Sequence, residues 1–268
     1  MADPAAPRPG TAPQNGRWWG GRAADWAEIQ EPQTQTAYAA VFDQIGLAAG
    51  QGYCDVGCGA GLAAQMAAAR GARVSGLDAS APLLAIARSR VPAGDFRQGE
   101  MEELPFADGA FDVVVGFNSF QYAAEPAKAL GEGRRVARPG GKVAALVWGP
   151  PEGMPAAALV AALRPLPPPP PPGAPGPFAL SGEAALRSLA AAAGLKSVTV
   201  HDVASPWFFP DRATALRGLG SSGVAMRARD LAGSEAVDRA HGAALDPFVQ
   251  PDGSYRVGAV FRWVTGEA

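Results

Sequence analysis

Three glycines at alternate positions, Gly57, Gly59 and Gly61, follow the short apolar run ending at Val56 and precede an alanine-rich helical stretch. Glycines at the point where a strand gives way to a helix let backbone approach a bound molecule closely. Their spacing, G-x-G-x-G, differs from the G-x-G-x-x-G that admits a pyrophosphate at a helix N-terminus. Asp55 stands two residues before the first of them, and a carboxylate there repels phosphate and attracts an ammonium group. Asp78 closes the next apolar run, where its carboxylate can grip a ribose diol. Glu100 follows the third run, and Asn118 ends the fourth. One polar residue or loop per strand end, all at the same edge, describes a single crevice.

The elements that must carry these residues alternate. Apolar runs at 53–56, 73–77, 95–98, 111–117 and 142–148 interleave with helical segments at 62–69, 82–90 and beyond Pro126, a pattern that predicts a parallel sheet with crossover helices. The continuous FDVVVGF at 111–117 suits a central strand buried on both faces. A further strand is expected at 195–203, after a helix over 183–193, and a last one at 255–264. Ahead of the sheet, apolar Tyr38, Val41, Phe42 and Ile45 fall at helical spacing within 33–47. The Pro/Gly-rich residues 1–16 read as a disordered tail, and the stretch containing Trp18, Trp19 and Trp26 as an irregular loop able to cover a ligand. Residues 17–268 form one domain, with 17–47 as an N-terminal lid and 211–245 as a helical insertion before the last strand. The unbroken prolines 167–172 read as a stiff surface loop.

The segments DVGCGAG, GLDAS, GEMEELPF and RVARPGGKV, in that order, resemble the class I S-adenosylmethionine-dependent methyltransferases, in particular the small-molecule group that includes ubiquinone and menaquinone biosynthesis methyltransferases. The likeness runs firmly over residues 31–148 and more loosely to the C-terminus. It implies an α/β, Rossmann-like, seven-stranded and mostly parallel sheet whose last strand is antiparallel, with helices on both faces. It also implies S-adenosylmethionine as cofactor and S-adenosylhomocysteine as product. On this resemblance Asp55 and the loop of Gly57, Cys58, Gly59 and Gly61 hold the methionine moiety, Cys58 as a small space-filler. Asp78, with Ala79 beside it, takes the ribose hydroxyls. Glu100 accepts from the adenine amino group while the Met101 amide meets a ring nitrogen, and Asn118 lies beside the methionine. Glu100 departs from the aspartate more usual there.

On the acceptor side, Tyr38, Gln121, Tyr122, Trp148 and Trp207 are the candidate substrate contacts. His201, inside a strand, reads as structural. His241, on the helical insertion, is the one candidate acid or base. A sulfonium methyl is already activated for in-line displacement, so alignment can suffice without a base. With 48% hydrophobic residues the chain can bury one sizeable core, and a net charge of −2 argues against a nucleic-acid partner. Cys54 and Cys58 are too close for a useful disulfide and too few for a zinc site, so no metal is expected. With neither a signal peptide nor a membrane span in the sequence, the expected setting is cytoplasmic, as a monomer or homodimer acting on a small molecule. Two other readings stand beside methyl transfer: a cyclase or binding protein that uses the same pocket structurally, and a nicotinamide oxidoreductase, against which the glycine spacing speaks.

Overall fold

The computed structural model describes residues 10–166 and 177–268, so the proline run 167–172 lies outside the described residues. Five strands, β1 (Gly52–Val56), β2 (Arg73–Asp78), β3 (Asp95–Gln98), β4 (Phe111–Phe117) and β5 (Ala137–Trp148), alternate with α4 (Leu62–Ala69), α5 (Ala81–Arg90) and α6 (Pro126–Val136). They are joined by β6 (Lys196–Ala204) and β9 (Val260–Glu267) in one sheet of order β3-β2-β1-β4-β5-β9-β6. β9 runs antiparallel to both its neighbours, and the other pairings are parallel. The order reverses between β1 and β4. In an open parallel sheet the crevice beyond the strand ends at such a point is where ligands bind.

Side-chain alternation divides the core between the two faces of the sheet. Tyr53, Val113, Val115, Phe117, Ala144 and Leu146 pack on one side, with α3 (Gln35–Ile45), α4 and α5. Val56, Val114, Val143, Ala145 and Val147 pack on the other, with α6 and α8 (Glu183–Ala192). Strands buried on both faces need continuous apolar runs, which is why FDVVVGF occupies the centre. α3 stops at Gly46, whose φ of 68° is the left-handed cap that glycine adopts at little cost.

Three features differ from the sequence expectation. Residues 12–16, read as part of a disordered tail, belong to the helix α1 (Ala12–Gly20), and the tryptophan stretch continues through the single turn α2 (Ala23–Asp25) and tighter or wider turns to Thr34. α1 buries no residue of its own completely, so its helicity comes from docking. Its glycines are the docking points: a Cβ on Gly20 would lie 2.6 Å from Ser80 Oγ. Trp18 donates to Asp230 Oδ2 at 3.0 Å, tying α1 to α10 (Gly223–Ala232). Second, the strand expected over 255–264 is broken: β8 (Tyr255–Val257) leaves the main sheet and pairs with β7 (Trp207–Phe209), and β9 begins after Gly258 and Ala259. Third, the segment Ser-Pro-Trp-Phe-Phe-Pro around Trp207, whose sequence reads as a loop leaving a strand, is therefore itself a strand. The insertion resolves into α9 (Arg212–Leu219), α10 and α11 (Ser234–Leu245), which with α7 (Pro155–Ala161) cover the strand ends. No helix among the described residues is long and apolar enough to cross a membrane.

Candidate active site

The glycine loop is pinned to β2 from below. Gly57 and Cys58 donate their N–H groups to the Leu77 carbonyl at 2.7 and 3.0 Å. Gly59 donates to Asp78 Oδ2 at 2.8 Å, and Ser80 to Asp78 Oδ1 at 2.8 Å. The Asp78 carboxylate thus organises both the loop and the start of α5, with a lone pair on each oxygen still free. Burial raises its pKa and the backbone donors oppose that rise. Gly61 serves packing: its φ is 83°, and a Cβ there would meet Ala87 Cβ at 2.8 Å, so only glycine lets α5 close on the loop.

Asp55 is buried at the end of β1. Tyr53 Oη donates to its Oδ2 at 3.2 Å, whereas Oδ1 has no hydrogen-bond partner among the described residues. Burial pushes its pKa up to about 8. A buried carboxylate oxygen without a donor is costly unless a ligand supplies one. Close by, Glu31 is 3% exposed, forms an ion pair with Arg90 and accepts the Leu62 N–H at 3.3 Å. Burial raises the Glu31 pKa, against the pull of Arg90. Arg90 also donates to the carbonyls of Ala60 and Ala27 at 2.9 and 2.8 Å. This one guanidinium therefore ties the glycine loop, α5 and the N-terminal segment together.

At the next strand end the geometry differs from the expectation. Glu100 Oε1 accepts the N–H of its own neighbour Met101 at 2.9 Å, and Oε2 accepts the Ala12 N–H at 2.8 Å, at the start of α1. The Met101 amide expected to face an adenine nitrogen is thus engaged by Glu100. The carboxylate also caps the unsatisfied N–H groups and positive end of α1.

Two cavities lie side by side over this edge. The first, of about 730 Å³ including its open mouth, is bordered by Gly57, Gly59, Asp78, Ala79, Glu100 and Met101 below and by Thr11, Ala12 and Asn15 of the N-terminal segment above. The second, of about 700 Å³, is walled by Trp148, Trp207, Leu159, Leu163, Leu219 and Phe261, with His241 and Gln30 among them. Trp19, Trp26, Thr34, Asn118 and Tyr122 line both. Trp19 meets Trp26 edge-on at 4.9 Å and Tyr122 at 5.5 Å, forming an aromatic collar at the junction. Asn118 holds a positive φ of 52°, and Gln121 Nε2 donates to its Oδ1 at 3.2 Å.

Of the residues singled out from sequence, Gly57, Gly59, Asp78, Ala79, Glu100, Met101 and Asn118 border the first cavity, and Tyr122, Trp148, Trp207 and His241 the second. Tyr38, expected to touch substrate, instead borders the first cavity, its ring 4.4 Å from Phe117 and its hydroxyl pKa raised by burial. Gln121 lines neither and orients Asn118. Cys58 is a buried thiol beneath the loop, as a space-filler would be. His241, on α11 of the insertion, is only 3% exposed; burial and Arg229 lower its pKa to about 4. Reasoning from sequence missed Glu31, Gln30 and Thr34, which carry no motif. The one available signal was their closeness to Trp26 within a segment already expected to cover a ligand.

Residues 54–145 match the model of the methyltransferase domain family. The chain is 39% identical over 111 residues to a demethylmenaquinone methyltransferase of Renibacterium salmoninarum, a match covering 41% of this chain and 47% of that protein. It therefore spans about half the length of the curated relatives it matches. Among solved structures, geranyl diphosphate C-methyltransferase from Streptomyces coelicolor, crystallised with Mg2+, geranyl diphosphate and S-adenosyl-L-homocysteine, aligns over 99% of this chain and 100% of its own at a TM-score of 0.56 and 16% identity. The [4+2]-cyclase SpnF aligns over 87% of this chain and 80% of its own, also at 0.56, with 21% identity. These likenesses establish the Rossmann-like α/β fold; that a cyclase shares it means the fold by itself does not choose the chemistry.

Proposed function

We propose that this chain, whose residues 54–145 match the methyltransferase domain family, transfers a methyl group from S-adenosylmethionine to a small-molecule acceptor by in-line displacement. The observation that carries the reading is the pair of adjoining cavities: one edged by the glycine loop, Asp78 and Glu100, the other apolar, meeting at Asn118 and the aromatic collar. The residues fit the cofactor. Asp55 Oδ1 lacks a donor that an α-ammonium supplies, and Asp78 keeps acceptor capacity for a diol. The faces of Trp19, Trp26 and Tyr122 attract positive charge at the junction. S-adenosylmethionine, when bound, supplies a methyl group already activated on a sulfonium.

What remains for the protein is to align two reactants and keep water out. Asn118, held by Gln121, directs an amide at the junction. Burial pushes the Tyr122 pKa up to about 12 and the lowered pKa of His241 leaves it neutral and weakly basic, so neither takes a proton efficiently near pH 7. Alignment therefore sets the rate. The N-terminal segment acts as the lid over both cavities. The charge balance disfavours nucleic acid as substrate, and the free thiols Cys54 and Cys58, both buried, suit the cytoplasm. Incubation with S-adenosylmethionine and a panel of small acceptors should release S-adenosylhomocysteine with a methylated product detected by mass spectrometry. Cofactor binding without release under any acceptor would favour the cyclase or binding-protein reading.

A further inference from the structure

A glycine-rich turn between a strand and a helix can cradle phosphate, because its N–H groups and the positive end of the helix converge on one point. Here those N–H groups are turned inward. Gly57 and Cys58 donate to the Leu77 carbonyl, Gly59 to Asp78 Oδ2 at 2.8 Å, and Gly61 to the Cys58 carbonyl at 2.9 Å. The head of α4 is closed in the same way. Its first N–H, that of Leu62, donates to Glu31 Oε1 at 3.3 Å.

Glu31 belongs to none of the four motifs and reaches the loop from the N-terminal segment, where it is buried. It is wedged against the loop, since a Cβ on Gly59 would lie 3.5 Å from its Oε1. Its Oε2 pairs with Arg90, whose other hydrogen bonds go to the carbonyls of Ala60 and Ala27. The carboxylate therefore stands where an anion of a ligand would stand, at a helix N-terminus with a guanidinium beside it. What faces the first cavity is acidic. Asp78 and Glu100 border it, and among the described residues no lysine, arginine or histidine does. An anionic group entering there meets two carboxylates and finds the donors of the loop already engaged.

We propose that Glu31 is a specificity-determining residue: an internal anion that occupies the head of α4 and Arg90 together, so that the cavity accepts an adenosine compound and refuses one that carries phosphate. This rests on the reading that the first cavity holds an adenosyl cofactor, and it supplies the reason why the same loop does not serve a nucleotide. The glycine spacing alone does not close the helix end. Glu31 does, and it does so from a segment that packs over the sheet rather than from the loop itself.

The test is calorimetric titration of adenosine, ADP and S-adenosylhomocysteine into the full chain, in buffer free of divalent cations. The quantity read is the phosphate penalty, the ratio of the ADP dissociation constant to that of adenosine. Wild type should show a penalty of roughly thirty-fold or more. Glu31→Gln keeps the size of the side chain and leaves the Arg90 guanidinium free to meet a phosphate. The penalty should fall roughly ten-fold, with adenosine affinity within about two-fold of wild type. Because that variant strands a buried cation, Glu31→Gln/Arg90→Gln, which leaves no charge of the pair unpaired, repeats the measurement. With only the helix end released, its penalty should fall by roughly three-fold. Retained S-adenosylhomocysteine binding shows that each variant folds. ADP bound by wild type as tightly as adenosine, or a penalty unmoved in the folded variants, overturns the inference. Failure of the wild-type chain to bind S-adenosylhomocysteine at all overturns instead the reading on which it rests.

Discussion

The two cavities share a rim but differ in how their main polar groups are held. In the first, the carboxylates are already engaged by the chain: both oxygens of Asp78 take backbone N–H groups, and both oxygens of Glu100 do the same, while Thr11 Oγ1 and Ser119 Oγ have no partner among the described residues. Its floor is glycine-loop backbone and two carboxylates, fixed by turns that favour glycine, under a partly aromatic cover. In the second, the wall is side chain, and its polar atoms at Trp207, Gln30 and His241 are unpaired. A cavity of the first kind holds one hydrogen-bond-rich ligand in one orientation. A cavity of the second kind selects by shape and by a few buried groups, and can change its ligand by changing side chains without disturbing the fold. Division of labour between a constant and a variable cavity is what the difference teaches.

The largest effect should come from breaking the constant side. On the proposed reading, Asp78→Ala removes the acceptors for the ribose, and it also frees the Gly59 N–H. Calorimetry should show S-adenosylmethionine affinity falling roughly a hundred-fold or more, with circular dichroism unchanged. An affinity kept by a folded variant would remove Asp78 from the site.

Next in size is the clamp between the two regions. Arg90→Ala leaves Glu31 buried without its charge and frees the carbonyls of Ala27 and Ala60, and should cost about 3 kcal/mol of stability in urea unfolding. A change of a few tenths of a kcal/mol would mean that the N-terminal segment docks by its tryptophans alone.

Asp55 sharpens the comparison through pH. Its pKa is raised on folding, so in the free protein its contribution to stability is fully present below about pH 4 and is lost as pH rises through about 8. A cofactor ammonium requires the opposite protonation state. S-adenosylmethionine affinity should therefore rise by up to about ten-fold per pH unit toward pH 8, then fall as the ligand's own amino group, with a pKa of about 7.8, loses its proton. Asp55→Asn should abolish the rising limb, and a rising limb that persists in this variant would place the ammonium elsewhere.

These two regions were also unequally legible in the sequence. The glycine loop, Asp78 and the strand FDVVVGF follow from local rules, because a turn's φ values and a doubly buried strand constrain residues within a few positions of one another. The cover did not read as well. α1 is helical because its glycines fit against α5 and Trp18 reaches Asp230, contacts with residues that no local pattern names. The same holds for β8, whose alternation continues smoothly into β9; only pairing with Trp207 to Phe209 shows that the chain changes sheets at Gly258. His241 stands in a cavity wall for a like reason: burial of α11 depends on α7, α9 and α10 lying against it.

The smallest effect belongs to His241. A neutral imidazole with a pKa near 4 is a poor base at pH 7, so His241→Ala should lower kcat/KM less than about ten-fold, far below the roughly hundred-fold or greater loss on removing a general base. The pH–rate profiles of the two proteins should have the same limbs between pH 6 and 8. Loss of a limb in the variant would make His241 the proton acceptor.

The central claim, that one cavity holds the cofactor and its neighbour the acceptor, is tested most directly by titrating S-adenosylhomocysteine into wild type, Asp78→Ala and Trp207→Phe side by side. The account predicts binding by wild type, binding within about two-fold of it by Trp207→Phe, and a loss of roughly a hundred-fold or more in Asp78→Ala. Equal losses in the two variants, or no binding by wild type, would contradict it.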